Sequence, residues 1–381
     1  MKIAYITHIA YPDAIGDPFG SFELAKRISK LRNDVTLITW NKKSPDSNKI
    51  ENINNVKIVK LAGINFKFDN YVPEYPFIPH MTKVLRQIDP DLIHAHSHLF
   101  LTTYQAVRSA SKQKKPSVVT VHGLIAKRQS ILNLAQNVYL YTLASNIFKK
   151  TTIVICLTRS DALEVMKLGC PREKIRILPN PVDTELFVPK PDIEENNLIV
   201  WIGRFVPEKG VHVLINAAKK VVNQRNDVKF LLVGDGPLKQ KMIFLVKTLK
   251  LEKYVVFRGS VPREQVPKFL QKSTLVVVPS LREGMPFVLL EAMACGKPVV
   301  GSNIPGIKDV ITHLKNGLLV PPGDSEALAS AIMFLLENED IRKNLGRNAR
   351  QLMVEKYNWD KYLKKLQYIY KEAIIKASSK D

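Results

Sequence analysis

Short apolar runs alternate with amphipathic stretches from one end of the chain to the other. Runs near Ile3–Thr7, Val35–Thr39, Val56–Leu61, Leu92–His96, Val118–His122, Ile153–Leu157 and Ile175–Leu178 form a first set. A second set lies near Leu198–Gly203, Lys229–Gly234, Val255–Gly259, Leu275–Val278, Val299–Gly301 and Leu318–Val320. Runs with no polar face read as strands covered on both sides. The spacers suit crossover helices, at Phe22–Leu31, Val211–Val222, Met285–Cys295 and Lys361–Ala377. The pattern therefore predicts an α/β fold with two Rossmann-like parallel sheets. Between the sets, Pro179-Asn-Pro181, Pro189-Lys-Pro191 and the polar run from Asp192 to Asn197 read as linker. That puts the domain boundary near residue 190, with residues 1–190 as one domain and 191–358 as the other, and residues 359–381 as a C-terminal helix.

Composition narrows the class. At 381 residues, 45% hydrophobic and 24% charged, the chain suits a globular protein of two domains. No apolar run reaches the roughly 18 residues of a bilayer span, and the opening Lys2–Thr7 looks like a first strand and not a signal peptide. The expected location is the cytosol. Cys156, Cys170 and Cys295 form no C-x-x-C pair, which points to neither a disulfide framework nor a zinc site. The net charge of +22 favours anionic partners. It splits into about +12 through Pro191 and about +10 after it, so no basic tail accounts for it.

The densest chemistry lies between Leu275 and Ser302. A buried strand ends at Pro279, a loop from Ser280 to Gly284 follows, and a helix begins with Pro286 in its first turn. Glu283 sits in the loop and Glu291 in the helix, with free N–H groups expected at Gly284, Met285 and Phe287. Two glutamates there suit either the helix dipole or a polyhydroxylated or anionic ligand. In the loop Gly203–Gly210, Arg204 and Lys209 flank a helix start, a combination suited to a diphosphate. Gly234-Asp-Gly-Pro237 lacks the spacing of a dinucleotide fingerprint.

The first half offers a Gly/Pro loop from Tyr11 to Gly20 after its first strand. His94, His96 and His98 share one face of an extended strand; no cysteine or carboxylate completes a metal set, so His96 and His98 are read as residues beside the cleft. His122-Gly123 closes the next strand at its carboxyl end, a site position. Asp89-Pro-Asp91 precedes a strand and reads as a turn, not a metal motif. Leu124–Lys150 reads as a basic amphipathic helix, packed on the sheet or lying on an anionic membrane. Tyr71–His80 reads as an exposed loop.

Taken together, Gly203-Arg-Phe-Val-Pro-Glu-Lys-Gly210, Val233–Pro237, Pro279-Ser280, Glu283–Phe287, Glu291–Pro298, Asp91–Ser97 and Val121-His-Gly123 resemble the retaining glycosyltransferases of family 4 over nearly the whole chain. Glu283 and Glu291 match the family's E-x7-E signature. The resemblance implies a GT-B fold, two Rossmann-like domains facing each other across a cleft, with the last helix crossing back to the first domain. It implies transfer of a hexose-type sugar from a UDP- or GDP-linked donor to a glycan or lipid-linked acceptor, with retention and without a metal or other cofactor. Arg204 and Lys209 would hold the diphosphate and Glu291 the ribose. Glu283, with the backbone at Gly284, Met285, Phe287 and Val288, would hold the sugar, and His122 would lie near its reactive face. Arg258 and Val261 would border the base, and His96 and His98 would face the acceptor. Where the family shows Gly-Gly in the first loop, this chain has Ile15-Gly16, so Gly16 is the matching donor contact. An anionic membrane surface is a candidate partner for the basic first domain. A nucleotide-sugar epimerase or hydrolase, and a weakly active partner subunit, are the alternatives on this fold. No aromatic-interleaved basic module suggests nucleic acid.

Overall fold

The computed structural model describes residues 1–9, 17–66, 74–123, 138–193 and 197–379. The chain divides into two compact units, Met1–Leu178 with Leu363–Asp381, and Pro179–Tyr362.

The first unit is built on β1 (Lys2–Ile6), β2 (Asp34–Trp40), β3 (Lys49–Ile53), β4 (Val56–Leu61), β7 (Leu92–His96), β8 (Ser117–Val121), β9 (Ile153–Cys156) and β10 (Ile175–Ile177). They form one sheet in the order β10-β9-β8-β7-β1-β2-β4-β3. Every pairing is parallel except β3 against β4. β3 was not anticipated: its sequence Lys-Ile-Glu-Asn-Ile is half polar and it lies exposed at the sheet's edge, where one side needs no apolar cover. The expected loop Tyr71–His80 is partly structured as well. Tyr75–Phe77 (β6) pairs antiparallel with Ile64–Phe66 (β5) in a separate ribbon, and residues 71–73 lie outside the described residues. The central strands are buried on both faces, Ile3, Ala4, Tyr5 and Ile6 completely.

The second unit carries β11 (Leu198–Ile202), β12 (Lys229–Val233), β13 (Val255–Gly259), β14 (Leu275–Val278), β15 (Val299–Ser302) and β16 (Leu318–Val320). Their order is β13-β12-β11-β14-β15-β16, all parallel. The strand order reverses between β11 and β14 here, and between β1 and β7 in the first unit. At such switch points the outgoing loops diverge to opposite faces and leave a crevice at the strands' carboxyl ends.

The boundary falls at residues 178/179, about a dozen residues before the composition break near 190. Residues 180–189 are tied to the second unit. Asn180 donates to the Met285 carbonyl (3.1 Å), Val182 N–H to the Tyr357 carbonyl (2.7 Å), and the Arg350 guanidinium to the carbonyls of Thr184, Phe187 and Ala294 (2.8–3.0 Å). Proline and charge mark where chain is exposed, not where its contacts change sides.

The last helix, Trp359–Ser378, buries Leu366, Ile369, Tyr370 and Ala373 along one stripe. From Leu363 it belongs to the first unit. Asp89 caps the helix Met81–Ile88 in a left-handed conformation and pairs with Lys115 at 2.8 Å, while Asp91 accepts from the Lys2 backbone N–H at 2.7 Å. Both carboxylates thus serve a turn at the amino end of the sheet. The three cysteines are free and buried.

Candidate active site

In the second unit the switch point assembles two loops. β11 leads into Gly203–Gly210, and helix Val211–Gln224 begins at once. Gly210 has φ +63°, and a Cβ there would come within 2.0 Å of the Pro279 carbonyl, so only glycine lets the two loops meet. A Leu281 N–H to Glu208 carbonyl bond (2.8 Å) closes the contact. Across it, the Lys209 ammonium pairs with Glu283 Oε1, which also accepts from the Ser280 hydroxyl at 2.9 Å. Glu283 is only 11% exposed, so its charge is held by these two donors.

The following helix is Phe287–Ala294, capped by Pro286, and is shorter at both ends than the expected Met285–Cys295. Proline, restricted to φ near −65° and lacking an N–H, takes the extended conformation just outside the helix (φ −71°, ψ 128°). The N–H groups of Gly284, Met285, Phe287 and Val288 make no hydrogen bond among the described residues, as expected of a helix start built to meet a ligand. Glu291, one turn in, is 2% exposed and pairs with Arg263. Arg204 is exposed on the first loop with no ion-pair partner among the described residues.

Arg258 does not join this group. It is exposed on edge strand β13 and lines a groove with Lys268, Phe269, Lys272, Leu198 and Lys229, the last two at the amino ends of their strands. Val261 is half-buried in the turn after β13. Gly16 lies outside the described residues, as does the 124–137 part of the expected basic helix; its remainder runs through a π-turn, Leu140–Ala144, into helix Ser145–Lys150.

In the first unit, His96 ends β7 and His122 follows β8. His96 Nδ1 and His122 Nε2 lie 3.0 Å apart. Burial holds the His96 imidazole well below its usual pKa, with His94 and His122 adding to the effect, and pushes His94 and His98 down to about 3. All three are neutral at physiological pH. His98 is fully buried and its ring lies against Phe148, and among the described residues neither of its ring nitrogens is hydrogen-bonded. Among the described residues no group of three or more His, Cys, Asp and Glu is arranged to hold a metal ion.

Two participants escaped the reading of the sequence, and a third, Ser280, figured there in Pro279-Ser280 without a role. Its local signal was a hydroxyl three residues before Glu283. Gly306 had a weaker one, the Pro305-Gly turn dipeptide; its Cβ would meet the Gly284 carbonyl at 1.6 Å, with φ +84°. Arg263 had none, since its partnership with Glu291 exists only through the fold.

Two Rossmann-like units, each with its crevice at a switch point and one carrying a cation–carboxylate pair beside an open helix amino end, define a glycosyltransferase of the GT-B fold. Residues 21–186 match the model of glycosyltransferase family 4 and residues 183–352 that of glycosyl transferases group 1, and the chain belongs to this family. It is 27% identical to the N-acetyl-alpha-D-glucosaminyl L-malate synthase of Bacillus anthracis, over 96% of each chain. It is 29% identical to the Escherichia coli UDP-Gal:alpha-D-GlcNAc-diphosphoundecaprenol alpha-1,3-galactosyltransferase, over 77% of this chain and 78% of that one. Sucrose-phosphate synthase of Thermosynechococcus elongatus superposes with a TM-score of 0.82 over 97% of this chain and 98% of that one, at 22% identity.

Proposed function

We propose that this glycosyltransferase moves a hexose from a UDP- or GDP-linked donor to a glycan or lipid-linked acceptor, with retention of anomeric configuration and without a metal. The observation that carries the reading is the cluster of Lys209, Glu283 and Ser280 beside the open N–H groups of Gly284, Met285, Phe287 and Val288. Breaking a sugar–phosphate bond leaves negative charge on the diphosphate and positive character at the anomeric carbon. Lys209 and Arg204 meet the first demand, which is why no metal is required. Glu283, held rigidly by Lys209 and Ser280, meets the sugar hydroxyls, and Glu291 the ribose. With the leaving phosphate and the acceptor on one face of the sugar, the acceptor hydroxyl's proton passes to a phosphate oxygen as the new C–O bond forms. In this reading His122 serves the sugar's reactive face and His96 the acceptor side. The name of the Escherichia coli relative, with a UDP-sugar and a diphosphoundecaprenol acceptor, supports the choice of donor and acceptor class.

The test is nucleotide release and product formation with UDP-, GDP- and ADP-sugars and a panel of simple acceptors, with product anomers assigned by NMR. Lys209→Ala and Glu283→Ala are each expected to lower turnover on the order of 10²-fold or more, the scale of losing one charge-stabilising group. Release that needs no acceptor would favour a hydrolase or epimerase, and a magnesium-dependent rate would remove the metal-free mechanism.

A further inference from the structure

Glu291 is a carboxylate in a helix whose other residues are all apolar. Leu289, Leu290, Ala292, Met293 and Ala294 around it are buried, and its own side chain is only 3% exposed. Taking such a charge out of water is costly unless a cation meets it. That cation comes from 28 residues earlier in the chain. Arg263 opens a single helical turn, Arg263–Gln265, which follows β13 at the carboxyl end of the sheet and is closed by the Gln265 N–H on the Pro262 carbonyl at 3.0 Å. Its guanidinium donates to Glu291 Oε1 and lies over the Phe187 ring, 5.6 Å from the ring centroid. Phe187 is itself buried, and Arg350 donates to its carbonyl at 2.8 Å. Turn, ring and carboxylate together fix where the planar guanidinium sits. Glu291 Oε2, by contrast, accepts no hydrogen bond among the described residues.

We propose that Arg263 makes the donor site selective for ribose over deoxyribose, as a positioning residue that holds Glu291 so that Oε2 accepts from a ribose hydroxyl. The inference rests on the reading of Glu291 as the ribose contact and adds the residue that gives the contact its geometry. With Oε1 held, the second oxygen has a fixed place and direction. A hydroxyl that donates to an ionised acceptor gains more than one that donates to a neutral group. A nucleotide lacking that hydroxyl leaves a buried, charged acceptor unpaired, and this is the origin of the selectivity. Without Arg263 the carboxylate loses its cation and turns towards water, and the acceptor is no longer aimed. Arg263 itself need not touch the nucleotide.

The experiment is calorimetric titration of the full chain with UDP and GDP, each against its 2′-deoxy and 3′-deoxy forms. With the base that binds, the wild type is expected to hold the ribonucleotide about tenfold to a hundredfold tighter than at least one deoxy form, the scale of a hydrogen bond to a charged group. Arg263→Gln should bring that ratio below about threefold, since the aimed charged acceptor is lost. Arg263→Met, which keeps the stem against Phe187, should do the same, and it decides the matter if the glutamine variant fails to fold. A purely structural ion pair would lower the melting temperature and weaken ribo- and deoxynucleotide alike. A ratio left at its wild-type value in the folded variants therefore overturns the proposal. Tighter ribonucleotide binding in the variants overturns it too, because Arg263 would then be occupying the ribose's place. A wild type that binds nucleotide with no preference for ribose takes Glu291 off the ribose and the proposal with it, and leaves sugar transfer from a nucleotide donor standing. A wild type that binds neither UDP nor GDP fails the functional reading itself, and the proposal falls with it.

Discussion

Lowering the pH should unfold the first unit before any carboxylate titrates. His94 and His98 are completely buried and held at about 3, against 6.5 for an exposed imidazole, and His96 is displaced in the same direction. A histidine whose folded pKa is depressed is neutral in the native state and free to bind a proton once unfolded. Its contribution is therefore fully present above pH 6.5 and lost as pH falls towards the folded value. Below pH 6 each such group costs about 1.4 kcal/mol per pH unit. Three of them, integrated from pH 7 to 5.5, remove about 4 kcal/mol, a large share of the roughly 5–15 kcal/mol that a domain possesses. His8, in the same unit, is held down to about 3 by burial and adds to the effect in the same direction. Hydrogen exchange read by mass spectrometry separates the two units, which one melting curve would not. Peptides covering β7 and β8 should lose protection between pH 7 and 5.5 at fixed denaturant, while β11 and β14 lose much less. His98→Leu, which removes two orphan nitrogens and keeps an apolar contact to Phe148, should raise stability at pH 7 and flatten the dependence by about a third. Equal protection of β7 at pH 7 and 5.5 would refute the reasoning, as would a His98→Leu protein whose pH dependence matches the wild type.

Gly306→Ala should lower kcat/KM for the donor and cost about 1–3 kcal/mol, since its methyl strikes the carbonyl of Gly284 in a conformation that L-residues avoid. Gly169→Ala is the control: φ is a similar +86°, but the nearest atom is Ser145 Oγ at 3.3 Å, so stability should fall and turnover of the folded protein should hold. On helical chain that displays Val138 (56% exposed), Tyr141 (66% exposed), Lys149 and Lys150, contact with an anionic bilayer is expected. Flotation with anionic vesicles should recover the protein, and Tyr141→Asp should weaken recovery; flotation equal on neutral and anionic lipid would count against it.

Both sheets were legible in the order of residues. Strands buried on two faces cannot carry charge, so β11 and β14 announce themselves as unbroken apolar runs and β1 as one after its first residue, and the helix starts after Gly210 and near Pro286 carry local punctuation. His122, directly after a buried strand, could be singled out because such a position is a carboxyl end; Lys209 and Glu283 lie in loops that lead into helix starts, and Glu291 was singled out by its spacing from Glu283. Edge strand β3 was not legible, since a strand wetted on one side has no apolar signature. The unit boundary was missed because residues 180–189 look like linker while their carbonyls are held by Arg350, 160 residues and more away. Partnerships between distant segments were equally invisible: Arg263 with Glu291, Gly306 under Gly284, and Tyr370 with Tyr5 and His94. Periodicity and turn chemistry act between near neighbours and are written in the chain. Which ionised or buried group meets which partner depends on how strands order themselves and where the last helix lands, and only the tertiary structure decided that.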